Sequence, residues 1–266
     1  MTLVRGLLFA LFSCLVAGIA LTGKETASRN EIRVDFDAHP EGPYEMGAFR
    51  KDWGNAFLGK LHQRSAITAE PKGNSLRLTF PKGSLGPNEG GAQFRESLAP
   101  HEAYRLSYRV LFEKGFDFRR GGKLPGLGGG KANTGGQKPT GDGWSARYMW
   151  GEDGKLDLYL YHLDQKTEYG ERFPLQAKAT PGQWLTLLQV VQVNAPGKAD
   201  GHIRVWVDGQ LALHQKGLRL RGKVEPEVAL VDQFIFSTFH GGSTKNWAPT
   251  RNSYARFDDF VLTPSP

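Results

Sequence analysis

The stretch that decides the fold is Trp144-Ser-Ala-Arg-Tyr-Met-Trp150, followed by Gly151-Glu-Asp-Gly154 and then by Leu156-Asp-Leu-Tyr-Leu-Tyr161. An Asp-Gly pair between two runs of β-prone residues is a strong signal for a hairpin turn. With a three-residue loop that ends in a left-handed Gly154, residue 151 pairs with residue 155. The sequence therefore predicts an antiparallel hairpin with a defined register.

Counting back from this turn places Arg147 opposite Tyr159 and Ser145 opposite Tyr161. Because side chains alternate between the two faces of a strand, these four polar groups share one face. The reverse face carries Ala146, Tyr148, Trp150, Leu156, Leu158 and Leu160. A two-residue or four-residue loop would shift the pairing by one and mix the two sets, so the pattern favours the three-residue loop. The hairpin has one apolar face and one face with groups suited to chemistry.

The remaining chain also has the pattern of strands. Asp208-Gly209 predicts a second tight hairpin, and no segment has a helical stripe of useful length. Many short strands with turn signals between them are typical of an all-β protein, and we expect a single antiparallel β-sandwich or jelly-roll domain over residues 21–266. Alternating apolar residues predict strands near residues 32–36, 76–80, 106–112, 184–193, 203–207, 228–236 and 254–262.

The first 20 residues resemble a secretory signal peptide, because one charge, Arg5, precedes an apolar run that ends in small residues. We expect cleavage near Ala20 or Gly23. A membrane anchor is an alternative, although the run is short for a span. A lipoprotein cleavage site at Cys14 is another. Ordinary cleavage removes the single cysteine and leaves a secreted protein, periplasmic or extracellular, without disulfides.

The 266-residue chain is basic, with a formal net charge of +7. Removing the signal takes away Arg5 alone and leaves +6. In an exported protein this charge points to an acidic polysaccharide, an anionic cell surface or extracellular nucleic acid as partner. The alternative is a protein that is merely basic, so charge alone does not decide the function.

The glycine-rich segment Gly121–Gly143 has the composition of a flexible loop. Long loops inside compact domains are usually functional, and glycines let the backbone approach a ligand. Its three lysines, Lys123, Lys131 and Lys138, precede its first acidic residue, Asp142. A phosphate-binding loop is disfavoured, because the Gly-Lys-Ser/Thr ending and the following helix are missing.

The polar face of the hairpin suits β-elimination in a polymer of uronic acids. That reaction needs a cation or hydrogen-bond donors on the carboxylate, a base near C5 and an acid near the leaving oxygen on C4. Arg147 fits the first role through its two-pronged donor geometry. Neighbouring cations would favour the phenolate of Tyr159 or Tyr161, so either could be the base. The alternative is an ordinary cross-strand aromatic pair with a stacked arginine.

These residues also resemble a known family. Gly121-Gly-Lys-Leu-Pro-Gly-Leu127, Ser145-Ala-Arg147 and Tyr159-Leu-Tyr161 together resemble the signature of polysaccharide lyase family 14, which includes alginate and glucuronan lyases with a β-jelly roll. Phe239-His-Gly-Gly242, Trp247-Ala-Pro249 and Phe257-Asp-Asp-Phe260 resemble its C-terminal part. The likeness extends from about Phe49 onward. It implies that the catalytic positions are Lys123, Ser145, Arg147, Tyr159 and Tyr161, with tyrosine and lysine transferring protons and arginine binding the carboxylate.

Three further residues are candidates for substrate binding. Gln93 and Arg95 would share one strand face and could extend the cleft, or they form a solvated pair. His240 could touch sugar, or it is a hydrogen-bonded turn residue. Asp35 and Asp37 could bind a structural calcium, but strand carboxylates are usually just solvated. No zinc spacing is present, and we expect neither a metal nor a cofactor.

Three rival functions remain. A glycoside hydrolase needs two carboxylates, and the hairpin face has none among its four polar groups. A non-catalytic binding module for acidic polysaccharide needs only exposed aromatics. Nucleic-acid binding fits the charge but lacks a motif. We therefore expect a secreted, monomeric polyuronate lyase that acts without a metal ion. Its expected substrate is alginate, in particular mannuronate-rich alginate, or glucuronan. We expect no nucleic-acid partner and no stable membrane insertion.

Overall fold

The computed structural model describes residues 31–54, 56–61 and 63–265, so the expected signal peptide lies outside the described residues. The described residues contain two short α-helices, α1 (Met46–Asp52) and α2 (Gly86–Glu89), and a 3-10 turn at Glu152–Gly154. The strands are β1 (Ile32–Val34), β2 (Gly42–Pro43), β3 (Ala56–Lys60), β4 (Ser65–Ala69), β5 (Asn74–Phe80), β6 (Ala92–His101), β7 (Ala103–Phe112), β8 (Gly122–Gly130), β9 (Gly143–Trp150), β10 (Lys155–Tyr161), β11 (Glu171–Lys178), β12 (Trp184–Gln192), β13 (Gly201–Val207), β14 (Gln210–Leu218), β15 (Val231–His240) and β16 (Ser253–Pro264).

These strands form two antiparallel sheets. The nine-stranded sheet has the order β14-β13-β12-β7-β16-β5-β4-β2, with β1 paired to β16, and the seven-stranded sheet has the order β11-β10-β9-β8-β15-β6-β3. Strands that are distant in sequence are neighbours in both sheets, as in a jelly roll. The antiparallel β-sandwich predicted from the sequence is confirmed. Among the described residues, no helix combines the length and the apolar character needed to cross a membrane.

The core between the sheets is rich in aromatic rings. Trp53 stacks on Phe234 with ring centroids 5.3 Å apart, and Tyr108 stacks on Phe260 at 5.2 Å. Trp150, from the apolar face of the hairpin, is fully buried. Large aromatic side chains supply much of the apolar area that a sandwich core buries. The inner face of the seven-stranded sheet is therefore buried in the core, and its outer face carries the polar side chains of the hairpin.

The predicted hairpin is confirmed in register and in turn. β9 and β10 pair Arg147 with Tyr159 and Ser145 with Tyr161. Gly154 is left-handed, with φ of 80°, and the N–H of Gly151 donates to the carbonyl of Lys155 at 2.7 Å. The predicted second hairpin at Asp208 and Gly209 is also present, between β13 and β14.

The glycine-rich segment is the main correction. Its first part was expected to be a loop, but Gly122–Gly130 forms β8, an interior strand between β9 and β15. Close packing of neighbouring residues against β8 explains its high glycine content. A Cβ on Gly126 would lie 2.1 Å from the carbonyl oxygen of Ala146, and one on Gly122 would lie 2.1 Å from the Trp150 ring. Only residues 131–142 remain a loop, which we call the cover loop. The short helix α1 was also missed.

Candidate functional site

The outer face of the seven-stranded sheet carries rows of side chains that cross several strands. One row of register neighbours consists of Lys123, Met149, Asp157 and Pro174, and the next consists of Gly126, Arg147, Tyr159 and Arg172. A third row contains Gly128, Ser145 and Tyr161. Neighbouring strands lie about 4.8 Å apart, so each row brings its members within side-chain reach of one another.

Arg147 lies in the middle of this face and is only 3% exposed. Its Nη1 donates to the Oγ of Ser237 at 3.4 Å, whereas its Nε has no hydrogen-bond partner among the described residues. Burial lowers the pKa of Arg147 to about 10, although Tyr159 and Tyr161 counteract this effect. The guanidinium is therefore a fixed cation at neutral pH with a donor still available for an anion.

Lys123 projects from β8 toward the same point. Its Nζ lies 3.9 Å from the ring centroid of Tyr159 and donates to the Sδ of Met149 at 3.0 Å. Burial is the largest cause that lowers the pKa of Lys123 well below its ordinary value, and the charges of Arg147 and Arg172 add to it. A lysine in such surroundings can lose its proton and act as a base.

The two tyrosines of β10 meet edge to face, with ring centroids 5.5 Å and hydroxyls 3.4 Å apart. Burial raises the pKa of Tyr159, the hydrogen bond and charge of Tyr161 raise it further, and Arg147 opposes these effects only in part. Arg147 favours the phenolate of Tyr159, as expected, but desolvation outweighs this effect and the pKa is raised overall. Its hydroxyl keeps its proton and is a hydrogen-bond donor.

The cover loop lies over these phenols. The N–H of Gly136 donates to the hydroxyl of Tyr161 at 3.0 Å. The hydroxyl of Ser145, which is fully buried, donates to the carbonyl of Asn133 at 2.6 Å. Ser145 therefore lies with the other candidates, but its hydrogen bond ties the cover loop to β9.

Gln93 and Arg95 lie on β6, on the same outer face as Arg147. Gln93 is the register neighbour of Ser237, which contacts Arg147. The guanidinium of Arg95 donates to the Oε1 of Gln233 at 3.2 Å, and its charge helps to lower the pKa of Arg147. The structure thus brings both residues to the edge of the candidate site.

His240 does not join them, which corrects its placement among the substrate-binding residues. Its side chain points into the core, is 1% exposed, and stacks on Phe116 with ring centroids 5.6 Å apart. Its Nε2 is 2.7 Å from the carbonyl oxygen of Asp117. Strand alternation explains this, because His240 follows Phe239, the register neighbour of Lys123, and so faces the opposite side.

Three residues of this face were missed. Met149 alternates with Arg147 along β9, so counting residues would have found it. Arg172 forms an ion pair with Asp157, and nothing local marks its position on β11. Trp247, noted in the sequence only as part of the family resemblance, packs from a distant loop against the cluster of Met149, Tyr159 and Tyr161, and the tertiary fold reveals that position.

The arrangement can perform acid and base chemistry on an anion. It combines a fixed guanidinium, an amine of lowered pKa and two phenol hydroxyls, whereas Asp157, the register neighbour of Met149, is paired with Arg172. Such a set can bind a carboxylate, remove a proton from the neighbouring carbon and protonate a leaving oxygen. The described part of the chain contains no group of three or more His, Cys, Asp or Glu side chains placed to hold a metal ion.

Comparison with known proteins places these residues in a family context. The family model Polysaccharide lyase 14 matches residues 68–260, more than half of the chain, and this range includes Lys123, Arg147, Tyr159 and Tyr161. No curated protein gives a significant match.

Solved structures show the same fold. A double variant of the alginate lyase Aly36B in complex with alginate trisaccharide has a TM-score of 0.79 and 28% identity over 90% of this chain and 100% of that chain. The marine PL-14 alginate lyase from Aplysia kurodai has a TM-score of 0.75 and 26% identity over 88% and 98% of the two chains. The alginate lyase vAL-1 from Chlorella virus has a TM-score of 0.68 at 23% identity over 84% and 99%, a likeness of fold alone.

Proposed function

The chain belongs to the polysaccharide lyase 14 family and is a polysaccharide lyase, and we propose that it cleaves alginate by β-elimination without a metal ion. The observation that carries this proposal is the convergence of Lys123, Arg147, Tyr159 and Tyr161 on one face, with the Lys123 nitrogen against the Tyr159 ring. Two of the similar structures, variants of Aly36B, contain alginate oligosaccharides, which supports alginate as the substrate.

The first step is binding of the uronate carboxylate. Arg147 and the hydroxyls of Tyr159 and Tyr161 surround the carboxylate of the sugar whose C5–H bond breaks. Their positive charge and hydrogen bonds hold the negative charge that would otherwise build up when the C5 proton leaves. Arg147 is well suited, because it is cationic at neutral pH and its Nε lacks a partner among the described residues.

The second step is proton transfer. The neutral amine of Lys123 takes the C5 proton, the C5–H electrons form the C4–C5 double bond, and the C4–O bond breaks. The protonated Lys123 then gives the proton to the leaving oxygen. In mannuronate the proton and the leaving oxygen lie on the same side of the ring, so one amine can serve both. This favours mannuronate-rich alginate over guluronate-rich alginate.

Ser145 has a supporting part in this proposal. Its hydroxyl is engaged with the cover loop, so it positions Gly136 over Tyr161 and makes no contact with the sugar. Gln93 and Arg95 border the site and contact neighbouring sugars of the polymer. The position of Gln93 and Arg95 on β6, beside Ser237 and Ile235 of β15, supports this role.

The test is an elimination assay with purified protein. Alginate, its mannuronate-rich and guluronate-rich fractions, and glucuronan are each mixed with the protein, and the ultraviolet absorbance of the unsaturated product is followed. We expect the fastest rise with the mannuronate-rich fraction, and an unchanged rate after dialysis against a chelator. Binding without any absorbance change, from folded protein at several pH values, would favour the alternative of a non-catalytic binding module.

We also propose that the protein is exported and monomeric. The proposal of export rests on the first 20 residues, whose pattern is that of a signal peptide. Mass spectrometry of protein recovered from the periplasm or culture medium should find the chain shortened near Ala20 or Gly23. Light scattering after size-exclusion chromatography should give the mass of one chain.

A further inference from the structure

A groove runs beside the catalytic cluster on the outer face of the seven-stranded sheet. It lies over β10 and β11, next to the Glu152–Gly154 turn, and the side chains that define its character are Arg120, Lys155, Asp157, Arg172, Lys178 and Trp247. The elimination mechanism above uses none of them. A cleft of this kind next to a reacting centre is a common place for the rest of a long substrate to bind.

The groove is continuous with the catalytic cluster. Asp157 is the register neighbour of Met149, which accepts a hydrogen bond from Lys123. Trp247 packs against the apolar cluster formed by Met149, Tyr159 and Tyr161, and it also lines the groove. A polymer with one sugar at Lys123 can therefore follow the sheet directly into the groove.

The groove carries surplus positive charge. It is lined by four cations, Arg120, Lys155, Arg172 and Lys178, and by two carboxylates, those of Glu152 and Asp157, which leaves an excess of two positive charges. Arg172 is paired with Asp157. The other three cations are exposed and form no ion pair within the described part of the chain. Their charges are available to an anionic ligand.

Trp247 gives the groove a fixed wall. A Cβ on Gly242 would lie 2.3 Å from the Cγ of Trp247, so the indole packs directly on that glycine. The guanidinium of Arg120 lies 5.4 Å from the centroid of the indole ring. This cation–π contact holds Arg120 against the indole that lines the groove.

The geometry points to this groove as the subsite for the uronate sugars adjacent to the cleaved bond, with Arg120, Lys155 and Lys178 binding their carboxylates. The inference rests on the proposed function, since it assumes that a polyuronate is the substrate. Repeated carboxylates along the polymer match repeated cations along the groove. The paired Arg172 contributes to the field that lowers the pKa of Lys123, so subsite and catalytic base share one electrostatic environment.

The test is the double variant Arg120→Ala/Lys178→Ala, assayed on polymeric mannuronate-rich alginate. The matched control is Arg105→Ala/Lys198→Ala, which removes an exposed arginine and an exposed lysine outside the groove. We expect the groove variant to raise KM about 5-fold with kcat changed less than about 2-fold, because two partly screened ion contacts are lost. We expect the control to match the parent.

Salt dependence gives an independent readout. Added salt should lower kcat/KM of the parent more steeply than that of the groove variant, since the variant has fewer ionic contacts to screen. A groove variant with the KM and salt slope of the parent would overturn the subsite, and so would a loss confined to kcat. An inactive parent would instead overturn the proposed function, so the two failures are distinguishable.

Discussion

The side-chain nitrogen of Lys123 lies 3.9 Å from the ring centroid of Tyr159. This contact brings an amine whose pKa lies well below its ordinary value against a phenol whose pKa is raised. The amine rather than the phenol is therefore the group that loses its proton first. The assignment of Lys123 as base follows from this order.

Replacing Lys123 with Ala should lower kcat by about 10²- to 10⁴-fold, the usual contribution of a general base. The elimination assay measures it. Lys131→Ala is the matched control, because that lysine is exposed and paired with Asp142 on the cover loop. It should stay within about 2-fold of the parent. Equal losses in both variants would contradict the assignment.

Replacing Arg172 should shift the pH dependence of kcat/KM. If neutral Lys123 is the base, kcat/KM rises with pH as the amine loses its proton, and this rise lies below the ordinary lysine pKa of about 10.4. The charge of Arg172 helps to lower the pKa of Lys123. Arg172→Gln removes that charge and should move the rise to higher pH. A rise that stays in place, or moves to lower pH, would refute the coupling.

Arg147→Lys should lower kcat/KM about 100-fold, because lysine keeps a charge but loses the two-pronged contact with a carboxylate. Steady-state assays on alginate test this prediction. Ser237→Ala is the control, since it removes only the 3.4 Å hydrogen bond to Arg147 and leaves the guanidinium in place. Its effect should be below about 5-fold. An Arg147→Lys enzyme with normal turnover would show that the two-pronged contact of the guanidinium with the carboxylate is not needed.

Tyr161→Phe separates a lyase from a binding module. The change removes the hydroxyl that contacts Tyr159 and the N–H of Gly136. We expect turnover to fall about 10- to 100-fold while calorimetric affinity for alginate falls less than about 10-fold. Spectrophotometric titration should also find the pKa of Tyr159 less raised, since Tyr161 is one of its causes. Parallel losses of binding and turnover would argue against a catalytic role.

His240 should make stability depend on pH. Burial lowers its pKa to about 4, against about 6.5 in an unfolded chain, so the unfolded state binds more protons between these values and stability falls as the pH falls. The full effect is roughly 3 kcal/mol. His240→Phe keeps a ring without a titrating group. Urea unfolding of both proteins across this range should show that the free energy of unfolding of the parent, relative to that of His240→Phe, decreases toward acid pH.

The difference between the two proteins is the quantity to compare. Burial raises the pKa of Asp258 to about 6, so this carboxyl adds stability on acidification and opposes His240 in the parent. Asp258 is present in both proteins, and its effect cancels in the difference. A difference that is constant with pH would show that His240 is not held neutral.

Gly126→Ala should destabilise the protein by about 3 kcal/mol, because its new Cβ would lie 2.1 Å from the carbonyl oxygen of Ala146 and 2.5 Å from the Cα of Arg147. The control is Gly47→Ala in α1, where a Cβ meets nothing within 4 Å. It should be neutral or stabilising by up to about 1 kcal/mol. Thermal unfolding measures both. Similar stability of the two variants would contradict the close packing of β8.

The hairpin could be predicted because two local signals agree. The Asp-Gly turn fixes the register, and the alternation of apolar and polar residues fixes which face Arg147 and Tyr159 occupy. The same counting, applied to β9, would have been enough to place Met149, which was missed. Lys123 was found by family resemblance, since β8 was not identified as a strand.

The missed parts depend on contacts between distant segments. Glycine has low β propensity, so Gly122–Gly130 has the composition of a loop until its packing against Trp150 and Ala146 is known. Trp247 reaches the site from a loop after β15, and Arg172 from β11. The placement of His240 depends on the alternation within β15, whose end was predicted too early.

β8 carries Lys123 at one end and leads into the cover loop at the other, and its glycines let that loop and β9 approach closely. Transferring this active site to a different scaffold would thus require moving the whole glycine-rich strand β8 together with the reactive side chains. A graft limited to the β9–β10 hairpin would carry Arg147, Tyr159 and Tyr161 but would lack both Lys123 and the cover loop.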